Sequence, residues 1–284
     1  ETKKLFPKKM FIAIQGNWKF DVDHDIIFFR KKYKKKKLKC DYFFCYNDRV
    51  IQYYKKFIDC KNYIKIGSFD SNIFPIRKKT EKGLITFISQ FKLKKDNDIW
   101  HKNYKFSDWR MNEKFFLQKL EKNLCKKNTL TILGKTSSIE EYNYYKKIFN
   151  NNFNFVYNDK LIYSSKKKIF DYIDRSELII TLDSTLGYQA LNRGKKVFFF
   201  SIRDSIDLNT RSKIRFCWPE KKTKRGLNWS SSYSKKEINR MIEFKKMANK
   251  SWIKFYKSEF KSTCYYNKDN AKFTSTIKKL KIDI

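Results

Sequence analysis

Apolar positions along the chain follow two rhythms: short apolar runs bounded by polar turns, and longer stretches with apolar residues three and four apart. Together they predict strands alternating with helices. The strongest run, residues 178–182, is continuously apolar and β-branched, which suits a strand buried on both faces. It stops at Asp183-Ser184-Thr185. These residue types cap helix N-termini, and 186–192 then predicts a helix that ends at Arg193-Gly194, with Gly194 available for the left-handed C-cap. A second apolar run covers 197–200. Strand, hydroxyl-rich turn, helix and strand make a βαβ unit with parallel pairing, whose helix N-terminus is a ready place for a phosphate.

The same rhythm runs through the rest of the chain. Residues 10–14 predict a strand ending at Gln15-Gly16-Asn17-Trp18, where Gly16 permits close backbone approach and the two amides stand at the strand's C-terminal end. Strands at 41–46 and 63–67 flank a helix at 49–58. A Ser-, Asn- and Lys/Arg-rich stretch with Pro75 and Gly83 marks a linker at 70–83. Residues 84–91 begin a second sheet and place Ser89, Gln90 and Lys92 at its C-terminal edge. Residues 94–109 read as a loop over a cleft and 112–126 as a helix. The strand 129–133 ends at Gly134-Lys135-Thr136-Ser137-Ser138, and Ser138 with Glu141 forms a capping box for a helix to 149. A strand at 153–157 and a helix at 166–173 lead into the central unit. From 234 onward the pattern is helical, with breaks near 250–251 and 266. The fold class is therefore α/β with two Rossmann-like domains. The first, acceptor-side domain covers 1–75, and the second, nucleotide-binding domain with C-terminal helices covers 84–284. Only three strand candidates precede the linker, so the N-terminal domain is expected to be incomplete.

Composition adds a charge problem. With 66 Lys+Arg against 29 Asp+Glu, the net charge is +37. Such an excess suits a polyanionic partner, nucleic acid or an acidic membrane surface. It also suits an AT-rich coding sequence, which yields chains rich in Lys, Asn, Ile, Phe and Tyr. Seven lysines fall between Lys31 and Lys39, a solvated face able to rest on anionic headgroups. The six cysteines contain no CxxC pair and read as buried reduced thiols. His24 and His101 are the only histidines, which argues against a His-based metal centre or a Ser-His-Asp triad. No apolar run approaches the roughly 20 residues of a membrane span. A soluble or peripheral protein is expected.

Asp21-Val22-Asp23 has the form of a metal-binding triplet, but so early in the chain it reads first as a solvated, helix-capping acidic loop. Asp21, Asp23 and His24 are the nearest titratable groups to the first strand's edge, and the sequence does not choose a general base among them.

The stretch SELIITLDSTLGYQALNRGKKVFFFSIR resembles the signature of bacterial surface-carbohydrate biosynthesis proteins, a GT-B-like family making lipopolysaccharide and related glycans. FIAIQGNW, DYFFCYNDRVIQYYKKFI, IGSFDSN and ITFISQF resemble its intervening blocks, and teichoic-acid glycerophosphotransferases share a similar turn. The resemblance covers roughly residues 10 to 203. It implies a glycosyltransferase that moves a sugar from a nucleotide-activated donor to a glycan or lipid-linked acceptor at the cytoplasmic face of the membrane. Gly134, Lys135, Ser184, Thr185, Leu186, Gly187, Gln189 and Arg203 would hold the donor. Lys135 would neutralise the diphosphate without a metal or other cofactor. Gln15, Gly16 and Asn17 would lie on the acceptor side. The family's acidic residue, which would hold donor hydroxyls, aligns with Gln189, so a charge-assisted bond is lost there. A glycerophosphotransferase and a nucleotide-sugar epimerase are alternatives on the same fold. A basic nucleic-acid-binding protein is the alternative of a different class, disfavoured by the motif.

Overall fold

The computed structural model describes residues 9–16, 37–77, 79–95, 97–101, 104–124, 129–136, 138–150, 152–159, 162–182, 184–202 and 225–282. The chain divides into two compact units, Glu1–Pro75 with Ile253–Ile284 and Ile76–Trp252. The first unit therefore takes the chain from Ile253 onward, which the sequence boundaries gave to 84–284.

Among the described residues, the first unit holds a parallel sheet in the order β1 (Ile12–Ile14), β2 (Leu38–Cys45), β3 (Ile58–Lys65). Helix α1 (Asp48–Tyr54) joins β2 to β3, and its cap Asn47 accepts the Val50 N–H at 2.9 Å. β3 begins five residues before the predicted strand. Its alternation is half-exposed, so no continuous apolar run announces it. Successive residues of β2 serve opposite faces. Phe43 and Cys45 pack with Val50, whereas Phe44 packs with Ile66 and Ile277.

Ile277 belongs to the C-terminal helix, Ala271–Lys279, which lays Phe273 against Phe44 with ring centroids 4.8 Å apart. Buried amides fasten the same segment. Asn72 donates to Ile66 O and to Asn270 Oδ1, both at 2.7 Å, and accepts the Asn267 N–H at 3.2 Å. Gly67 has φ +74°, and an added Cβ would sit 2.3 Å from Tyr265 O, so only glycine fits this crossing. Cys40, Cys45, Cys60 and Cys264 are free thiols, and only Cys45 among them is fully buried, fewer than the sequence predicted.

Among the described residues, the second unit is built around a seven-stranded sheet. In chain order its strands are β4 (Leu84–Ile88), β7 (Thr129–Leu133), β8 (Asn154–Val156), β9 (Leu178–Thr181), β10 (Val197–Phe200), β11 (Arg225–Gly226) and β12 (Trp229–Ser230). Their spatial order is β11-β12-β10-β9-β4-β7-β8, parallel except for β11. β4, β9 and β10 are buried along their whole length, as strands covered on both faces must be. Phe87 of β4 meets Phe116 and Tyr145 on one face, while its neighbour Thr86 hydrogen-bonds Ser176 on the other.

The short helix Phe69–Asn72 of the first unit is α2, and the helices of the second unit that follow, among the described residues, are α3 through α7 in chain order. They are α3 (Phe106–Leu124), α4 (Ile139–Phe149), α5 (Tyr163–Arg175), α6 (Thr185–Asn192) and α7 (Lys235–Lys246). The boundary of the two units falls within α8 (Asn249–Glu259), so the break in the helical tail lies at 247–248, not at 250–251. The predicted loop 94–109 contains a two-stranded hairpin, β5 (Ile99–His101) and β6 (Tyr104–Lys105), and ends in the first turn of α3. No helix among the described residues is long and apolar enough to cross a membrane.

Candidate functional site

β4 comes first in its sheet and lies between β7 and β9. From it the chain winds outward through β7 and β8, then returns to the other side for β9 and β10. This reversal makes the C-terminal ends of β4 and β9 the switch point of an open α/β sheet, where such folds bind ligands. The register fixes what stands there. Ile88 is level with Thr181 on one side and Leu133 on the other, so Ser89-Gln90, Gly134-Lys135-Thr136 and Ser184-Thr185 leave the sheet along one edge. The sequence named residues in all three turns, and the topology brings them together.

Ser184 caps α6 by accepting the Leu186 N–H at 3.3 Å, while its own N–H donates to Thr181 Oγ1 at 3.3 Å. Ser184, Thr185 and Leu186 are half-buried. Gly187 is buried, and an added Cβ would come 2.6 Å from Thr181 Cγ2. Its lack of a side chain lets α6 lie against β9. Gln189 is buried on the same helix.

The Gly134 turn is held from within. Glu141 is fully buried, and its carboxylate accepts the N–H groups of Lys135 at 2.8 Å and Thr136 at 2.7 Å, the Thr136 hydroxyl at 2.7 Å and the Ser89 hydroxyl. Only half of the predicted capping box forms: Ser138 accepts the Glu141 N–H at 3.3 Å, but the glutamate reaches into the turn instead of back to its cap. These two backbone N–H groups are thus spent on Glu141, and the Lys135 side chain is half-buried. Gly134 has its own reason, since an added Cβ would lie 2.8 Å from the Phe155 ring.

Ser89 completes the network. It accepts from Tyr145 Oη at 2.8 Å and from the Phe91 N–H at 3.0 Å. Burial, with the Glu113 carboxylate nearby, pushes the Tyr144 and Tyr145 phenols above their ordinary range, so both remain protonated donors. Sequence reasoning missed this Tyr145–Ser89–Glu141 chain. The one available signal was an acid three residues past the cap of a Gly-Lys-Thr turn.

In the first unit, Gln15 is committed to structure. Its amide oxygen accepts the Tyr46 N–H at 3.0 Å and ties the ends of β1 and β2. Gly16 is exposed, and an added Cβ there meets no protein atom within 4 Å. Asn17, Asp21, Asp23, His24, Asp183 and Arg203 lie outside the described residues, as do residues 31–36 of the lysine run.

Residues 12–281 match the family described as "putative O-antigen biosynthesis protein". The chain belongs to this O-antigen biosynthesis family. No curated protein matches it. Among solved structures, this O-antigen family chain is similar to the wall teichoic acid polymerase TagF, at 12% identity and a TM-score of 0.52 over 91% of this chain and 60% of that one. It is similar also to the TagF H548A variant, at 13% identity and a TM-score of 0.52 over 90% and 61%. A third match is the TagF H444N variant soaked with CDPG, at 12% identity and a TM-score of 0.50 over 91% and 59%. The chain thus spans about 60% of the length of the TagF structure. At such identities the likeness shows the fold, which is α/β and GT-B-like.

Proposed function

We propose that this O-antigen family member is a glycosyltransferase-like enzyme that moves a sugar from a nucleotide-activated donor to a glycan or lipid-linked acceptor. The observation that carries this is the meeting of the Ser89, Lys135 and Ser184 turns at the switch point of the second sheet. The donor diphosphate would sit at the start of α6, where the helix dipole and the hydroxyls of Ser184 and Thr185 favour an anion. The Lys135 ammonium would take up charge on the leaving diphosphate, which needs no metal for that purpose. Gln189 would offer neutral hydrogen bonds to the donor. A CDPG-soaked TagF variant is among the fold's relatives, so a glycerol-phosphate donor is the second reading. A nucleoside diphosphate is common to both.

Fluorescently labelled UDP and CDP at physiological salt test the proposal. Wild-type protein should bind at least one saturably, and Ser184→Ala with Thr185→Ala should weaken it about tenfold or more, as expected for lost hydrogen bonds to a charged group. An isotherm unmoved by the double substitution would remove the donor from this edge. Preference for oligonucleotides, collapsing steeply with salt, would instead favour a nucleic-acid binder.

The acceptor reading places the enzyme on the cytoplasmic leaflet, supported by the seven lysines of Lys31–Lys39. Each is worth about 1 kcal/mol near an anionic surface, before screening. Replacing Lys34 to Lys37 by serine is expected to release the protein from anionic liposomes in sedimentation at physiological salt. An unchanged bound fraction would reduce the run to solvated surface.

A further inference from the structure

We infer that a cleft beside β4 is a second ligand site, taking an acidic sugar residue of the glycan; this rests on the glycan-assembly reading above. The cleft has a volume of about 670 Å³ and is lined by Phe91, Lys94, Lys95, Arg110, Glu140 and Tyr144, among others. That volume lies within the roughly 300–1,000 Å³ of small-molecule sites. Its wall continues from the donor edge. Phe91 N–H donates to Ser89 Oγ, and Glu140 and Tyr144 directly precede Glu141 and Tyr145, which hold Ser89 from the other side.

Two features give the ligand its class. The Phe91 and Tyr144 rings stand 5.5 Å apart and tilted by 45°, an aromatic surface against which the C–H face of a sugar ring can pack. The charged groups are the second feature. Arg110 donates to the carbonyl oxygens of Lys92, at 3.2 Å, and Lys94, and Asp98 accepts the Lys95 N–H at 3.0 Å, so these two shape the loop. The side chains of Lys94, Lys95 and Glu140 make no ion pair among the described residues, with one another or elsewhere. A purely apolar occupant would make no use of these three exposed charges, and a bare phosphate would be repelled by Glu140. A uronic-acid-type residue meets both signs: its carboxylate accepts from the two lysines, and its hydroxyls donate to Glu140.

Calorimetry with a trisaccharide of galacturonic acid, and with its carboxyl-reduced neutral form, tests this at physiological salt. Wild-type protein should bind the acidic form saturably and the neutral form more weakly. Lys94→Ser with Lys95→Ser should cost about tenfold or more in affinity, the scale of hydrogen bonds to charged groups. Lys167→Ser with Lys168→Ser removes the same charge from α5 and should change affinity by no more than about twofold, because distant exposed charges are screened. No saturable binding, equal affinity for the neutral form, or equal loss in both lysine pairs overturns the proposal. UDP or CDP binding without trisaccharide binding refutes the cleft alone. Trisaccharide binding that depends on Lys94 and Lys95, without nucleotide binding, keeps the cleft and refutes the donor reading.

Discussion

Replacing Asp174 by alanine is expected to destabilise the second unit by about 3–5 kcal/mol, the cost of leaving a buried charge without its partner. Arg193 Nε and Nη2 donate to the two oxygens of Asp174 at 2.9 and 2.5 Å, and the Arg77 N–H adds a third bond at 2.8 Å. Both side chains are shut off from solvent, with relative exposures of 0% for Arg193 and 1% for Asp174. The guanidinium also lies over the Phe170 ring, 5.1 Å from its centroid. The pair joins the ends of α5 and α6, and so sets the helix whose other end carries Ser184. Asp174→Leu with Arg193→Met should recover most of the loss, because an apolar pair of similar volume avoids the desolvation penalty. The exposed Glu243–Lys246 pair, broken as a control, should cost no more than about 1 kcal/mol. Urea midpoints at unchanged slope give these differences. A loss for Asp174→Ala as small as the surface control's would show that the pair contributes nothing particular.

Glu141 is expected to give the second large effect. Alanine there strips the acceptor from two backbone N–H groups and two hydroxyls. Each stranded buried donor costs about 1–3 kcal/mol, and rehydration of the half-buried turn should hold the sum to roughly 2–4 kcal/mol. Glu141→Gln keeps the shape but turns an N–H₂ group towards donors. It should remain folded, with its Lys135 turn displaced, and weaken UDP or CDP binding about tenfold or more, as a misplaced cation would. Wild-type nucleotide affinity in a folded Glu141→Gln protein would separate the turn from the donor site.

Local chemistry explains what could be seen in the sequence. The strands 129–133 and 197–200 and the helices after Ser138 and Ser184 are written in apolar runs and caps, and Gly194 takes the left-handed conformation its place implies, with φ +78°. What escaped depends on residues far apart in the chain. No periodicity reveals that Gly187 must clear Thr181 and Gly134 must clear Phe155. Nor does any reveal that Gln15 spends its amide on Tyr46, 31 residues away. The two-residue strands β11 and β12 are too short to carry a pattern. They are held by Arg240, which donates to the carbonyls of Gly226, Leu227 and Trp229. The turns singled out in the sequence do leave one edge of the sheet together, while the way each is held along that edge required coordinates.

The C-terminal segment of the first unit has a consequence for how the protein is made. Phe44 and Ile66 share their core with Ile277, and Asn72 is satisfied by Asn267 and Asn270. During vectorial synthesis, the strands that emerge first must wait some two hundred residues for the helix that seals one of their faces. The unit from Ile76 to Trp252 is uninterrupted in sequence. The domain begun second can therefore be completed before the one begun earlier receives its helix Ala271–Lys279.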